Sequence, residues 1–297
     1  MLEAQQRDSI KQRDIEQVVL IGYGAKKKSD LTGSITALSE KDFNKGAITS
    51  AEGLLNGRTS GVVVTQSGTP GNDAVIRVRG GSSLLSSNDP LIVIDGLPVE
   101  GGLSSINPND IESFSILKDA SSTAIYGNRG SNGVILITTK KGSKKKLQVS
   151  FNSFTTYNTL AKNVDVYNGD QFREIINTMA PDKANLLGTA NTNWQDLIFR
   201  NTASFDSNLS LMGNLFDKIP SRLSIGHTEN EGLLLTSNYK RSTASFTLNP
   251  TLFDNHLKLN ISGNYTYAFR TNADEGAIGS AISYDPTQSP YDAQTPF

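Results

Sequence analysis

The chain has few residues that could carry covalent or metal chemistry. It has no cysteine, which excludes disulfides, thiolate metal sites and cysteine nucleophiles. Its two histidines, His227 and His256, are far apart in the sequence, which argues against a histidine-rich metal site. Charge is also scarce, since charged residues make up 19% and 28 Lys+Arg against 29 Asp+Glu give a net charge of −1. This balance argues against a nucleic-acid partner, because nucleic-acid binding usually requires a basic face.

Long apolar runs are missing as well. No segment approaches the ~20 apolar residues of a transmembrane helix, and the first eight residues are polar, unlike the start of a signal peptide. Neither absence excludes a transmembrane β-barrel, whose strands alternate and whose average composition is polar. The 297 residues correspond to one large domain or two ordinary ones. The composition changes near the lysine-rich residues 140–146, which suggests a domain boundary there.

Before this boundary the sequence predicts a small α/β domain. Four short, β-branched segments bounded by Gly, Pro or Asp are typical of buried strands, at residues 61–65, 74–79, 90–95 and 133–138. We predict that all four lie in one mixed sheet. Short helices fit between them, the first capped by Thr49 or Ser50 and continuing to Asn56.

After the boundary, apolar and polar residues alternate. Between Leu257 and Arg270 the odd positions are apolar apart from Gly263, most even positions are polar, and the aromatic residues gather at one end. Shorter alternations occur near residues 147–152, 205–211, 222–225 and 244–249. Period two is typical of any sheet with one wet face. The length and the aromatic end favour a lipid-facing strand, which needs about 9–11 residues and an aromatic girdle.

Four motifs, in order, carry a resemblance to a known family. They are residues 14–24 followed by Lys26–Lys28, AVIRVRG at 74–80, DPLIVIDGLPV at 89–99, and LKDASSTAIYGNRGSNGVILITTKKG at 117–142. Together they resemble the N-terminal region of the SusC/RagA family of TonB-dependent outer-membrane transporters. Four ordered motifs are far more specific than a single glycine-rich loop.

The resemblance implies an α/β plug domain of mixed sheet, followed by antiparallel β-strands of a truncated transmembrane β-barrel. Residues 1–13 would be a polar leader, 14–24 the TonB box region, 25–142 the plug domain and 143–297 the first part of the barrel. Family barrels have about 22 strands, and a barrel of about eight encloses little beyond its own side chains. The residues after the plug supply about five to eight strands, so we expect the chain to be the N-terminal part of a longer transporter.

Two sets of site residues follow from the resemblance. The TonB box would comprise Asp14, Ile15, Glu16, Gln17, Val18, Val19 and Leu20, an apolar stretch able to add as a strand to a partner's sheet edge. The alternative is that these residues form the first strand of the plug itself. Candidate ion pairs between plug and barrel involve Arg77, Arg79, Glu112 and Arg129.

The implied function is TonB-dependent import of a nutrient, an oligosaccharide or a peptide, across the outer membrane of a Gram-negative bacterium. The implied partners are TonB, a SusD-like surface lipoprotein and outer-membrane lipid. We predict no catalytic residue, no cofactor, no metal and no bound nucleic acid, so the chain is not expected to be an enzyme. The alternative is a soluble plug-like binding or adhesion module without transport activity.

Overall fold

The computed structural model describes residues 18–21, 24–27, 35–46, 48–78, 88–99, 102–119, 123–254 and 256–291, with only the backbone described between 18 and 27. Predictions for the leader, for Asp14–Gln17 and for Arg79 lie outside the described residues. Nowhere in the described ranges is a helix both long enough and apolar enough to cross a membrane.

The first described element is a hairpin. Strand β1, Val18–Ile21, pairs antiparallel with β2, Gly24–Lys27. Ile21 lies opposite Gly24, so the two strands are joined by a two-residue connection. Three residues of the predicted TonB box, Val18, Val19 and Leu20, therefore lie in a strand that is already paired on one side.

The plug domain contains a five-stranded mixed sheet and a separate hairpin. The strands, in chain order, are β3 Ile35–Ser39, β4 Val62–Thr65, β5 Val75–Val78, β6 Leu91–Ile94, β7 Leu97–Val99, β8 Ile111–Leu117 and β9 Val134–Thr139. The sheet order is β3-β8-β9-β6-β7, in which only β6 and β9 run parallel to each other.

The prediction that four segments share one sheet is wrong. Strands β6 and β9 are neighbours in the main sheet, but β4 and β5 pair only with each other. The reason lies in the burial of their side chains. Strands β6 and β9 are buried at nearly every position, as expected for strands covered on both faces, whereas β4 and β5 alternate between less and more exposed residues. A strand with one exposed face is suited to a layer that packs over the main sheet, and less suited to the middle of that sheet.

Short helices complete the plug domain. Helix α1, Ala51–Leu55, begins after Ser50, whose hydroxyl accepts a hydrogen bond from the Gly53 N–H at 3.4 Å, so the predicted cap is confirmed. Three 3₁₀ helices follow, at Leu103–Ser105, Pro108–Asp110 and Ala124–Gly130. Helix α1 and strand β5 pack against the main sheet and form the core with it. Within this core, the rings of Phe43 and Phe114 are in edge-to-face contact with centroids 5.5 Å apart.

Residues from 148 onward form a second sheet, which we call the strand wall. Its five antiparallel strands stand in the order β10-β11-β12-β13-β16. The strands after the plug are β10 Gln148–Asn158, β11 Thr202–Leu215, β12 Ile219–Glu231, β13 Asn238–Leu248, β14 Thr251–Leu252, β15 Leu257–Lys258 and β16 Ile261–Thr271.

The predicted continuous strand over residues 257–270 is interrupted. Leu257–Lys258 pairs back on β14 as a small hairpin, and β16 begins only at Ile261. The break is held by local hydrogen bonds, because the Leu259 N–H donates to the Pro250 carbonyl at 3.0 Å and the Asn249 amide donates to Asn260 at 3.0 Å. From Ile261 onward, the alternation predicts a strand, and the structure has β16 there.

The two ends of the wall differ. At one end, which we call the short-turn rim, residues 216–218 and the small β14–β15 hairpin connect the strands. At the other end, the long-loop rim, residues 159–201 contain helix α2, Gly169–Met179, a 3₁₀ helix at Pro181–Leu186 and helix α3, Trp194–Ile198. Helix α4, Gly276–Ser283, follows β16 at the same rim.

The long loops at this rim are joined to each other. The backbone N–H groups of Ala190 and Thr192 donate to the carbonyls of Thr287 and Pro286, at 3.0 and 2.9 Å. The Trp194 ring N–H donates to the Asp285 carbonyl at 3.0 Å, and the ring contacts Tyr284 edge to face at 4.9 Å. We call this contact between residues 188–194 and 284–288 the loop clasp. The loop clasp holds these two loops against each other at the long-loop rim.

Candidate functional site at the interface of plug and wall

The strand wall separates polar from apolar side chains in continuous rows. One row of paired residues across the five strands is polar, consisting of Ser150, Ser210, Ser224, Ser245 and Asn264. The next row is apolar, consisting of Phe151, Leu209, Ile225, Ala244 and Tyr265. Because side chains alternate across a strand, the two rows lie on opposite faces of the wall.

In the three central strands of the wall, the polar face is the buried one. In the central strand β12, Ser224 is 1% exposed whereas its neighbour Ile225 is 54% exposed. The same pattern holds in β11 and β13, where Asp206, Asn208 and Thr243 are buried. This is the reverse of a sheet in water, and it is the arrangement of a barrel strand whose outer face lies in lipid. The plug domain covers the polar face along the three central strands, whereas the polar residues Ser150 on β10 and Asn264 on β16 are exposed.

A buried ion pair joins plug and wall. Arg222, on β12, donates to Asp110 of the plug with an N–O distance of 2.8 Å, and their side chains are 5% and 9% exposed. The second carboxylate oxygen of Asp110 accepts a hydrogen bond from the Ser245 hydroxyl on β13 at 2.7 Å. Both carboxylate oxygens are thus satisfied, which a buried ion pair needs in order to offset the loss of hydration.

A second wall arginine binds the plug backbone. One nitrogen of the Arg241 guanidinium donates to the carbonyls of Ser104 and Ile106, at 2.7 and 3.3 Å. The other terminal nitrogen donates to the Thr49 carbonyl at 2.9 Å. The planar fork of an arginine suits such multiple contacts, which a lysine ammonium cannot reproduce. Arg241 therefore ties the start of α1 to the 3₁₀ helix at 103–105.

The plug and wall approach closely between these two arginines. The Asn107 amide donates to the Thr243 hydroxyl at 3.1 Å. Opposite it stands Gly226, where a Cβ atom would come within 2.3 Å of the Asn107 amide nitrogen. Towards the long-loop rim, Arg270 donates to the carbonyl of Gly71 at 3.1 Å and to the side chain of Asn72 at 2.7 Å. Polar contacts therefore extend along the plug–wall interface.

One buried carboxyl of the plug stands beside this interface. Glu52 on α1 is 1% exposed, and its Oε1 has no hydrogen-bond partner among the residues described. Burial raises the pKa of Glu52, and the negative charge of Asp73 raises it further. Hydrogen bonds from the backbone and from Ser50, together with the charge of Arg241, oppose these effects.

The residues predicted for plug–barrel ion pairs lie elsewhere. Arg77 is exposed on β5, Glu112 is exposed on β8, and Arg129 is exposed at the end of the 124–130 helix. Arg79 lies outside the described residues. Their pairing with the barrel stays a prediction.

The residues that do join plug and wall, Asp110, Arg222 and Arg241, were not picked out from the sequence. A signal existed, because both arginines fall on the polar phase of an alternating strand. Such a position faces the interior of a barrel, where a buried charge needs a partner. For metal binding, the described ranges hold no group of three or more His, Asp and Glu placed around a common point.

Comparison with known proteins identifies the family that has this architecture. A family model described as "TonB-dependent Receptor Plug Domain" matches residues 27–134. "TonB-dependent receptor SusC" of Bacteroides thetaiotaomicron is 47% identical over 295 residues, covering 95% of this chain and 29% of the relative. The chain belongs to the SusC/RagA-like family of TonB-dependent receptors. "TonB-dependent receptor P26" of Formosa agariphila is 38% identical, over 93% of this chain and 29% of the relative.

Solved structures agree with this assignment. The RagAB peptide importer in its open-open state matches with a TM-score of 0.71 and 26% identity, over 87% of this chain and 33% of that chain. The ferric citrate transporter FecA shares the fold alone, with a TM-score of 0.55 and 15% identity over 80% of this chain and 32% of that chain. Receptors of this family are outer-membrane proteins of Gram-negative bacteria and act as transporters. This receptor chain spans less than a third of the length of the curated relatives named above.

Proposed function

We propose that the chain supplies the plug and the first wall strands of a TonB-dependent importer, which carries an oligosaccharide or a peptide across the outer membrane. The observation that supports this best is the polar character of the plug–wall interface. Among the described residues, its contacts include hydrogen bonds and the Arg222–Asp110 ion pair, which water can replace when the plug moves. The apolar core of the plug lies within the plug itself. The plug can therefore shift without exposing that core.

In this proposal, residues 14–20 bind TonB by strand addition. The hairpin is a two-stranded sheet of its own with four residues in each strand, and such a hairpin gains little stability from its own pairing, so β1 can change partners. Ile21 and Gly24 close the hairpin as a hydrogen-bonded pair. Hydrogen-bonded and non-hydrogen-bonded pairs alternate along an antiparallel ladder, so Leu20 and Val18 belong to non-hydrogen-bonded pairs. The N–H groups of Val18 and Leu20 therefore point away from β2. Outward donors of this kind are what an incoming strand requires.

The outer ligand site lies, in this proposal, at the long-loop rim. A cavity of about 510 Å³ opens there between the plug turn at residues 66–74 and the ends of β10 and β12. Its lining is rich in amides and hydroxyls, including Gln66, Asn72, Tyr157, Asn158 and Asn230. Such groups can hydrogen-bond to saccharide hydroxyls or peptide amides. RagAB is described as a peptide importer.

The remaining proposed partner is a SusD-like surface lipoprotein, which would cover the long-loop rim. The loop clasp supports this assignment, because its hydrogen bonds between residues 188–192 and 286–288 hold two outer loops in one fixed platform. The plug–barrel ion pairs proposed for Arg77, Arg79, Glu112 and Arg129 would then form with wall strands beyond those described.

The test of the TonB box is Val18→Pro, which removes an outward N–H without breaking a bond within the hairpin. We expect uptake by cells to be lost, because strand addition needs that donor, whereas ligand binding by the purified receptor should be retained. Val18→Thr keeps the N–H and is the matched control. Normal uptake by the proline variant would contradict the assignment. Parallel loss of uptake and binding would indicate a structural strand of the plug.

A further inference from the structure

Two turns at the short-turn rim share a sequence and a conformation. Leu215-Phe216-Asp217 joins β11 to β12, and Leu252-Phe253-Asp254 begins the turn between β14 and β15. In the first turn φ is +53° at Phe216 and +57° at Asp217. In the second it is +52° at Phe253 and +50° at Asp254. We call these two segments the Leu-Phe-Asp turns.

Neither conformational preference nor packing explains a phenylalanine in these turns. Hairpin turns with two positive φ angles favour Asn-Gly, and a bulky side chain in the left-handed region is strained. Packing against the chain does not offset this strain, because Phe216 is 81% exposed and Phe253 is 73% exposed. The same strained, exposed phenylalanine nevertheless occurs twice, in separate hairpins.

The surroundings of the two rings indicate what they contact. Each phenylalanine directly follows an exposed leucine, Leu215 or Leu252, and the exposed Leu257 pairs with Leu252, so exposed apolar residues gather at this rim. The same rim carries exposed lysines at Lys144–Lys146, Lys218 and Lys258, whereas the turns themselves add only two aspartates. An apolar band bordered by lysines is complementary to a phospholipid surface, where long cationic side chains reach the phosphate groups.

We propose that the Leu-Phe-Asp turns anchor the wall in the periplasmic leaflet of the outer membrane. Phe216 and Phe253 insert between phospholipid head groups, and Lys218 and Lys258 contact the phosphates of anionic head groups. The short-turn rim faces the periplasm because outer-membrane barrels have short turns on that side and longer loops outside. This anchoring concerns the depth at which the wall sits and does not depend on the proposed import.

The test adds tryptophans as reporters to the longer receptor that contains this chain. Phe216→Trp and Phe253→Trp are compared with Glu40→Trp, and the emission of each variant is taken as its difference from that of the parent receptor. Glu40 is an exposed residue of the plug that pairs with Lys140, close to where the chain enters the wall, and serves as the control. The proteins are reconstituted in phosphatidylethanolamine–phosphatidylglycerol vesicles with acyl chains brominated near the head groups.

Blue-shifted emission and strong bromine quenching are expected at positions 216 and 253, with water-like, unquenched emission at position 40. Water-like emission at all three positions would overturn the proposal. An emission shift that occurs only after addition of periplasmic extract would assign the turns to a protein partner and would also overturn it.

The lysines are tested on the same reporters. Lys218→Glu with Lys258→Glu should reduce quenching of the Phe216→Trp reporter in vesicles that contain phosphatidylglycerol and leave it unchanged in neutral phosphatidylcholine vesicles. An equal reduction in both lipids would contradict an attraction of the two lysines to anionic head groups. Circular dichroism of each variant checks that the strand content is unchanged.

Discussion

The plug domain and the strand wall bury opposite kinds of side chain. In the plug, Phe114 and Ile135 are completely buried, and the exposed positions of β4 and β5 face outward from the core. In the wall, Ser224 and Thr228 are buried whereas Ile225 is exposed. Both regions consist of strands that alternate with period two. Alternation therefore fixes which residues share a face, and the surroundings of each face decide which of them is buried.

This difference bears on the proposed movement of the plug, because the plug's core and its contact with the wall depend on different interactions. The plug's stability comes from an internal apolar core, whose burial is worth roughly 25 cal/mol per Å² of apolar surface. The contact with the wall consists of polar groups that can also hydrogen-bond to water, so each neutral hydrogen bond contributes only about 0.5–1.5 kcal/mol net and each bond to a charged group about 1.5–3 kcal/mol. In the proposed function, water that enters the interface would take over these hydrogen bonds as the plug moves, and the plug would keep its own core.

The largest expected effect is in the plug core. Phe114→Ala should lower the free energy of unfolding by about 3–5 kcal/mol, because the ring is fully buried and its loss leaves a cavity beside Phe43. Phe246→Ala, on the exposed face of the wall, is the matched change and should cost much less in urea unfolding monitored in detergent. Equal losses at the two sites would mean that the wall has an apolar core of its own.

The second effect tests the buried ion pair. Arg222→Ala leaves Asp110 buried with one hydrogen bond from Ser245, and we expect a loss of about 3–5 kcal/mol in the stability of the seated plug. Arg222→Met combined with Asp110→Leu should cost far less, because no charge is then left unpaired. Hydrogen exchange of the plug amides measures this stability. A double variant as unstable as Arg222→Ala would contradict the ion-pair interpretation.

The third effect tests the outer face of the wall. Ile225 lies midway along β12, in the apolar row shared with Tyr265, whereas Ile261 is the first residue of β16. Arginine should cost about 2–4 kcal/mol at Ile225, near the bilayer midplane, and only about 0–1 kcal/mol at Ile261, near the interface. Folding yield into lipid vesicles reports the difference. Equal costs at the two positions would contradict the membrane-spanning orientation of the wall.

Much of the fold could be predicted because both regions give clear local signals. The alternation predicts the phase of β10 to β13 and of β16, and the Ser50 cap predicts the start of α1. Sheet membership was not predictable in the same way. Strands β4 and β5 look like β6 and β9 in composition, and only the packing of distant segments puts them in a separate hairpin. The break before β16 depends on Asn249 and Pro250, on the far side of a turn.

The plug–wall site was less accessible to sequence reasoning than the fold. Asp110 ends a three-residue 3₁₀ helix that begins at Pro108, and its partner Arg222 is more than a hundred positions further along the chain. A single sequence gives no means of matching two such charges. Arg241 is harder still, because its partners are backbone carbonyls, which every residue possesses.

The smallest expected effect is the pH dependence of plug stability through Glu52. Burial raises the folded-state pKa of this carboxyl above the ordinary value of 4.5. Below pH 4.5 the group is protonated in both states, so it has no effect on the free energy of unfolding there. As the pH rises from 4.5 towards the raised folded-state pKa, the unfolded chain ionises first and the folded state loses stability.

Glu52→Gln removes this titration, because the amide stays neutral and keeps one carbonyl oxygen as an acceptor for Ser50 and the backbone. The variant should therefore match the parent protein at low pH and become the more stable of the two at neutral pH, by less than the three changes above. Thermal unfolding from pH 4 to pH 8 measures the difference, and Glu40→Gln, at an exposed position, is the control. A glutamine variant that is less stable at neutral pH would show that Glu52 is ionised in the plug and that the charge of Arg241 outweighs burial.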